Sequence, residues 1–188
     1  ADCERVVAMH HQTGTGAKIQ VALAPCSPFS VSSELMRETA TLADRLNIRI
    51  HTHLGETEDE NRHCEEQFGM RPLDYLEECG WLTERTWLAH GIHFTDREIE
   101  RIGVHGVGVC HCPHSNMYLA SGVCRAHEIE ASGAPLGLGV DGSSSNDASN
   151  LCEELRQAFF LQRLSSGKSV SYTDALRWAT EGLSLIHI

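Results

Sequence analysis

The stretch "NIRIHTHL", residues 47–54, is a short apolar run that ends in two histidines, His51 and His53. Four further runs share its length and character: "KIQVALAP" (18–25), "TWLAHGI" (86–92), "GVGVCHCP" (106–113) and "PLGLGVDG" (135–142). Short apolar runs bounded by polar residues are typical of strands that are buried on both faces of a parallel sheet. The sequence therefore predicts five strands in one sheet.

The segments between these runs carry the start and stop signals of helices. Ser32 or Ser33 can cap a helix over 34–46, and "TDRE" (95–98) fits a capping box. Gly103 stands where the helix after this box is expected to end. This alternation of strands and helices predicts an α/β fold with helices outside a parallel sheet.

The candidate functional side chains all lie at or just beyond the carboxyl end of a predicted strand, where a (β/α)₈ barrel assembles its active site. They are Cys26, His53, His90, Cys112 and Asp141. Five strands are too few to close a barrel. A doubly wound sheet is the alternative, but none of these runs is followed by the glycine-rich phosphate turn typical of that fold. We therefore expect residues 1–182 to form the C-terminal portion of a TIM-type barrel, about strands 4 to 8. We expect residues 183–188 to be a tail foreign to it.

Composition restricts the class of partner. The net charge is −11 and no lysine or arginine cluster occurs, so nucleic-acid binding is disfavoured. No run of about 18 apolar residues predicts a membrane span, and "ADCERVVAMHHQ" (1–12) is unlike a secretory signal. Eight cysteines in apolar or helical surroundings indicate reduced thiols, and hence a cytoplasmic protein.

His53 and Glu56 form the first candidate pair. Side chains alternate along a strand, so His51 and His53 point to the same face, and Glu56 follows the strand end. A neutral imidazole suits Zn²⁺, and a nearby carboxylate suits proton transfer. A packed core histidine is the competing interpretation, and it fits His51, deeper in the strand, at least as well.

His90 and Asp141 end two further strands. A histidine such as His90, taken alone, is more often a structural residue, but beside a metal it can orient water or a substrate carbonyl oxygen. Asp141 can ligate a metal and act as a base, although an Asp before a Gly is also common in turns. Asp147, just before the helix predicted from residue 150, is better placed for a capping role, which favours function for Asp141.

The stretch "CHCPHSNM" (110–117) raises a third possibility, a small structural zinc module that uses Cys110, Cys112 and His114. Structural zinc sites usually need two ligand pairs at zinc-finger spacing, and a Cys-x-Cys within a strand is not that pattern. Alternation points Cys110 and Cys112 to one face and His111 to the other. The module is therefore the weaker hypothesis.

Four motifs resemble, in sequence and order, the deaminase and chlorohydrolase branch of the amidohydrolase superfamily. They are "HTHLGET" (51–57), "LAHGIHF" (88–94), "HCPHSNM" (111–117) and "GLGVDGSSSNDASN" (137–150). The resemblance covers roughly residues 6–180, nearly the whole chain. His114 departs from it, because relatives commonly carry Ser or Asn at that position.

The resemblance implies a barrel that holds one divalent metal, usually zinc, through four protein ligands. Carried over to this chain, His53 is the fifth-strand ligand and Asp141 the eighth-strand ligand. Glu56 matches the glutamate that carries a proton to the substrate ring nitrogen, and His90 matches the histidine near the hydrolytic water. Cys26 lies in the turn that contacts substrate in relatives, and Glu56 and His90 also border the substrate.

The activity implied is hydrolytic deamination of a small oxidised purine, 8-oxoguanine to urate and ammonia, by a protein that forms homo-oligomers at full length. Guanine, isocytosine and aminotriazines are alternative substrates, and a non-catalytic fragment is the alternative from another class. The His-x-His that supplies the other two ligands is absent, and "MHHQ" (9–12) is a different pattern. We therefore expect residues 1–188 alone to be inactive and to hold zinc weakly.

Overall fold

The structure, a computed structural model, describes residues 2–14 and 16–182, so the tail expected at 183–188 lies outside the described residues. The elements follow one another as α1 (Asp2–His10), α2 (Ser33–Leu46), β1 (Ile50–Leu54), α3 (Glu58–Phe68), α4 (Pro72–Glu78), β2 (Thr86–His90), α5 (Asp96–Val104), β3 (Gly108–His111), α6 (Pro113–Tyr118), α7 (Ala126–Ala131), β4 (Leu136–Leu138), α8 (Leu151–Ser165) and α9 (Tyr172–Ala179). A 3₁₀ turn at Gly167–Ser169 joins α8 to α9.

The four strands form one parallel sheet in the order β1-β2-β3-β4. Each strand therefore pairs with the next along the chain, and each crossover carries at least one helix. Leu54 at the end of β1 lies in register with His90 at the end of β2. The predicted α/β fold with a parallel sheet is confirmed.

The first predicted strand, 18–25, does not form. Leu23 makes only an isolated parallel bridge with Ile50. Its N–H donates to the Arg49 carbonyl, and its carbonyl accepts from His51, so this segment runs beside β1 without a continuous ladder. Pro25 has no N–H to extend the ladder, which explains why an apolar run stays irregular here.

The two faces of the sheet differ in burial. In β1, Ile50, Thr52 and Leu54 are buried, whereas His51 and His53 are only half-buried. Leu88 and Val109 continue the buried face across β2 and β3 within the hydrophobic core. The helices α2, α7, α8 and α9 pack against the strands. The sheet thus buries one face under helices and presents the histidines of β1 on the other.

Side-chain caps begin the longer helices. Ser32 caps α2 by accepting from the Leu35 N–H, and Thr95 and Glu98 form the predicted capping box of α5. Asn150, rather than Asp147, caps α8 and accepts from Cys152. All eight cysteines are free thiols, and no helix in residues 2–14 and 16–182 has the length and apolarity needed to cross a membrane.

Gly103 lies inside α5, which ends one residue later at Val104, so the predicted stop at Gly103 is wrong. The glycine is needed for packing instead. A Cβ at this position would lie 2.2 Å from the backbone oxygen of Ser132, which follows α7. Only a residue without a side chain lets α5 and the end of α7 approach this closely.

We predict that Gly103→Ala destabilises the protein. The added methyl group gains about 1 kcal/mol of helix propensity, but overpacking against a backbone atom costs about 1–3 kcal/mol and forces the two helices apart. Thermal unfolding followed by circular dichroism measures the difference. Glu100→Ala, on the exposed side of the same helix, is the control and should stay within about 0.5 kcal/mol. An unchanged or raised melting temperature for Gly103→Ala would contradict the prediction.

Candidate metal centre

Three side chains that could hold a metal ion, from different strands or the loops after them, meet at the carboxyl edge of the sheet. His53 in β1, His90 at the end of β2 and Asp141 after β4 each offer one donor atom, and these atoms lie within 4.8 Å of one another. Glu56, in the loop after β1, places Oε2 3.7 Å from His90 Nε2. The structure thus brings together four of the residues that the sequence singled out.

His90 reaches this cluster through its backbone conformation. In register, His53 pairs with Ala89 and His90 pairs with Leu54, so simple alternation would turn His90 to the helix-covered face. His90 instead has a φ of 73°, which redirects its side chain. Its ring stacks 5.4 Å from the His53 ring, and Nε2 lies 3.8 Å from Asp141 Oδ2. A positive φ outside glycine costs about 1–3 kcal/mol and is concentrated at functional sites.

His53 is oriented by the carbonyl of Cys26. That oxygen accepts from His53 Nδ1 at 2.7 Å, from the His53 N–H at 2.9 Å and from Thr52 Oγ1 at 3.0 Å. A carbonyl can only accept, so Nδ1 carries a proton and Nε2 is the ring nitrogen that is left for the site. Cys26, predicted as a substrate contact, meets the site through its backbone.

Asp141 is also held in a left-handed backbone conformation, with a φ of 62°. Its Oδ2 accepts from Ser115 Oγ at 2.6 Å and its Oδ1 from the Gly142 N–H at 2.7 Å. Burial by itself would raise the pKa of Asp141, but these two hydrogen bonds and the neighbouring His90 and His53 hold it below its usual value. The carboxylate is therefore ionised and able to bind a cation.

Glu60 fixes the loop that carries Glu56. Its carboxylate accepts from the N–H groups of Gly55 at 3.0 Å and Glu56 at 3.2 Å. Glu60 is 1% exposed, and this burial raises its pKa to about 7, with the charge of Glu56 adding to the effect and the two N–H donors opposing it. A buried carboxyl that titrates near neutral pH thus lies directly behind the predicted proton carrier.

The other histidines and cysteines in the described part of the chain do not join the cluster. Burial lowers the pKa of His51 to about 4 and that of His111 to about 3, so both rings are neutral. His51 stacks on Trp87 at 4.7 Å beneath the site, which fits a supporting role. Within the described residues, the only group of three or more candidate metal donors is the one containing Asp141, so the zinc module at 110–114 is not supported.

Three buried contacts of the cluster were not predicted: Ser115 on Asp141, Asn116 on His90, and Glu60 on the Glu56 loop. All three are short-range in space, but the first two join residues 26 positions apart in sequence. The only sequence signal for the contacts of Ser115 and Asn116 is their place in "HCPHSNM", where small polar residues directly follow a strand end.

The donor set fits a divalent metal. Two imidazole nitrogens and one carboxylate oxygen are the ligand types that zinc takes in catalytic sites. Asp141 is ionised, and His53 is held in the tautomer that leaves Nε2 free. The residues present are therefore able to hold such an ion, with room for ligands from elsewhere.

The fold and this donor set together define part of a (β/α)₈ barrel with a candidate metal centre at its strand ends. The family model of the amidohydrolase family matches residues 1–183. The chain belongs to the amidohydrolase family.

Among curated relatives, the chain is 59% identical over 183 residues to 8-oxoguanine deaminase of Pseudomonas aeruginosa, covering 97% of this chain and 41% of that protein. It is 40% identical to hydroxydechloroatrazine ethylaminohydrolase of Pseudomonas sp. strain ADP, covering 97% of this chain and 38% of that one. The chain thus spans about two fifths of the length of these relatives.

Two solved structures are similar along nearly the whole chain. An adenosine deaminase of Xanthomonas campestris with bound zinc matches with a TM-score of 0.90 and 32% identity, covering 97% of this chain and 42% of that one. Atrazine chlorohydrolase of Arthrobacter aurescens, complexed with zinc, matches with a TM-score of 0.93 and 28% identity, covering 98% and 42%.

We predict that Glu60 makes the protein less stable as the pH rises from about 4.5 to about 7. Its carboxyl has a pKa of 4.5 when unfolded and about 7 when folded, so in this window the folded state binds more protons and loses stability with rising pH. Glu60→Gln should flatten this part of the profile of melting temperature against pH. Glu66→Gln, on the exposed side of α3, should leave it unchanged. Equal slopes for Glu60→Gln and the unmodified protein would rule out the assignment.

Proposed function

We propose that the complete protein is a metal-dependent aminohydrolase that converts 8-oxoguanine and water to urate and ammonia. By complete protein we mean a chain that contains these residues together with the two histidine ligands expected upstream. The observation that carries the proposal is the convergence of His53, His90 and Asp141 within 4.8 Å, with Glu56 beside His90. The 59% identity to an 8-oxoguanine deaminase supports this substrate.

His53 and Asp141 would hold one zinc ion together with the upstream pair. When bound, zinc supplies a Lewis acid that makes water nucleophilic at neutral pH. Zinc in the matching adenosine deaminase and atrazine chlorohydrolase structures supports this choice of metal. His90, whose Nε2 faces both Glu56 and Asp141, orients the water or a substrate oxygen.

The protein side chains carry the protons. Asp141 takes a proton from the attacking water as its oxygen bonds to the carbon that bears the exocyclic amine. Glu56 donates a proton to the adjacent ring nitrogen, which gives a tetrahedral intermediate. Asp141 passes the proton it took from water to the amine, the carbon–nitrogen bond breaks and ammonia leaves. The hydroxyl group gives its proton to Glu56 as the product carbonyl forms. Glu56 is about a quarter exposed, so it can exchange protons with solvent between turnovers.

The remaining expectations belong to the same proposal. Residues 1–182 form the C-terminal portion of the barrel, about strands 4 to 8, and 183–188 are a non-native tail. The partner is a small purine, and neither nucleic acid nor a membrane is involved. The complete protein is cytoplasmic and forms a homo-oligomer. Cys26 borders the substrate. The hydrogen bond between its carbonyl oxygen and His53 Nδ1, within the cluster, supports this placement.

We predict that the zinc-loaded complete protein releases ammonia fastest from 8-oxoguanine. A coupled ammonia assay with 8-oxoguanine, guanine, isocytosine and an aminotriazine gives the ranking by kcat/KM. A preference for the triazine would favour the second candidate function, a triazine aminohydrolase. The 40% identity to an ethylaminohydrolase supports that alternative. No ammonia from any of the four substrates would reject deamination.

We further predict that metal binding and proton transfer can be separated by mutation. His53→Ala should release most of the zinc and abolish activity, because it removes a ligand. Glu56→Gln should keep the zinc but lower kcat roughly 10²- to 10⁴-fold, the usual contribution of a general acid. Zinc is measured by atomic emission after gel filtration. Cys112→Ala, the control, should keep both; loss of zinc from it would instead support the cysteine module.

A further inference from the structure

Two neighbouring residues in the short helix α6, Ser115 and Asn116, contact two different members of the donor cluster. Both side chains are fully buried. Ser115 contacts Asp141 from the loop after β4, and Asn116 contacts His90 at the end of β2. A single helical turn at the end of β3 therefore joins side chains supplied by the strands on either side of it.

Asn116 fixes the tautomer of His90. Its Oδ1 lies 2.9 Å from His90 Nδ1. An amide oxygen can only accept, so Nδ1 carries a proton, and Nε2 is the ring nitrogen that faces Glu56 and Asp141. The same tautomer results at His53 through the Cys26 carbonyl.

Asn116 is a poor choice for stability alone. Its Nδ2 is buried with no hydrogen-bond partner among the described residues. An unsatisfied buried donor costs about 1–3 kcal/mol, which an apolar residue of similar size would avoid. The amide therefore has a use that offsets this cost, and its one hydrogen bond goes to His90.

Ser115 orients the Asp141 carboxylate. The hydroxyl has one proton, and since a carboxylate can only accept, that proton goes to Asp141 Oδ2 at 2.6 Å. Ser145 Oγ lies 2.8 Å from Ser115 Oγ and itself donates to the Gly142 carbonyl at 3.3 Å. This short chain of hydroxyls fixes one oxygen of Asp141, while the Gly142 N–H fixes the other at 2.7 Å.

The helix that carries both residues is itself anchored. Pro113 begins α6, and the Asn116 N–H donates to the Cys112 carbonyl at 3.0 Å. The neighbouring His114 N–H donates to Glu154, a fully buried glutamate of α8. Such a turn can hold two side chains in place against the backbone strain at His90 and Asp141.

We propose that Ser115 and Asn116 are positioning residues that act together before the metal binds: Ser115 holds Asp141 in its metal-competent orientation, and Asn116 holds His90 with Nε2 directed at the site. This inference rests on the proposed metal centre, but it concerns residues of this chain that touch neither metal nor substrate. Partners that orient metal-binding side chains typically change metal affinity or activity about 10- to 100-fold when they are removed.

The test measures zinc affinity of the complete protein by competition with a chromophoric chelator, without substrate. Ser115→Ala should weaken zinc binding about 10- to 100-fold, because it frees the ligand Asp141. Asn116→Ala should change the visible spectrum of the cobalt-substituted protein, because it frees the His90 ring beside the metal. Ser115→Thr and Asn116→Asp, which keep the hydroxyl and the acceptor oxygen, should restore most of the affinity and the spectrum.

Matched controls are available in the same chain. Asn61 is also a buried asparagine with one unpartnered amide atom, but it donates to Glu58; Ser132 donates to the Ile129 carbonyl. Asn61→Ala and Ser132→Ala should leave the zinc affinity and the cobalt spectrum unchanged. Equal losses from these controls and from the alanine variants at 115 and 116 would overturn the proposal, because they would reflect general destabilisation.

A second measurement needs no variant. Histidine-ring nitrogen NMR of the unmodified, zinc-free protein, at a pH where the rings are neutral, should show His90 protonated at Nδ1. Protonation at Nε2 would overturn the role of Asn116. Because neither measurement uses substrate, a protein that binds zinc as described but releases no ammonia would reject the proposed function and leave this inference intact.

Discussion

The parallel pairing of β1, β2, β3 and β4 is the constraint on which the site depends, because it brings the carboxyl ends of all four strands to one edge. Residues far apart in sequence, such as His53 and Asp141, then lie a few ångströms apart. The strand itself supplies His53, and the loops just beyond the strand ends supply Glu56 and Asp141.

Charge explains why this edge favours a cation. Glu56 and Asp141 approach the single nitrogen Nε2 of His90, and Glu60 lies behind the Glu56 backbone. Burial keeps His51 neutral, so it supplies no compensating positive charge. Two carboxylates beside imidazole rings form a site in which a divalent metal relieves repulsion between the carboxylates.

Much of the architecture could be predicted from local sequence. Four of the five apolar runs became strands, and the Thr95 capping box formed as expected, because strand burial and helix capping depend on residues close together in the chain. The failures have local causes too. Pro25 interrupts the ladder of the first run, and Gly103 serves close packing against Ser132 rather than ending α5.

The sequence by itself determined which residues end the strands, and therefore which donors, His53, His90 and Asp141, were available at the edge. Only the tertiary structure decided how they point. The alternation rule would turn His90 away from His53, and a positive φ reverses this. Its tautomer depends on Asn116, a residue 26 positions away. No local pattern encodes such a contact, because the energy of a buried hydrogen bond depends on which groups the whole fold brings together.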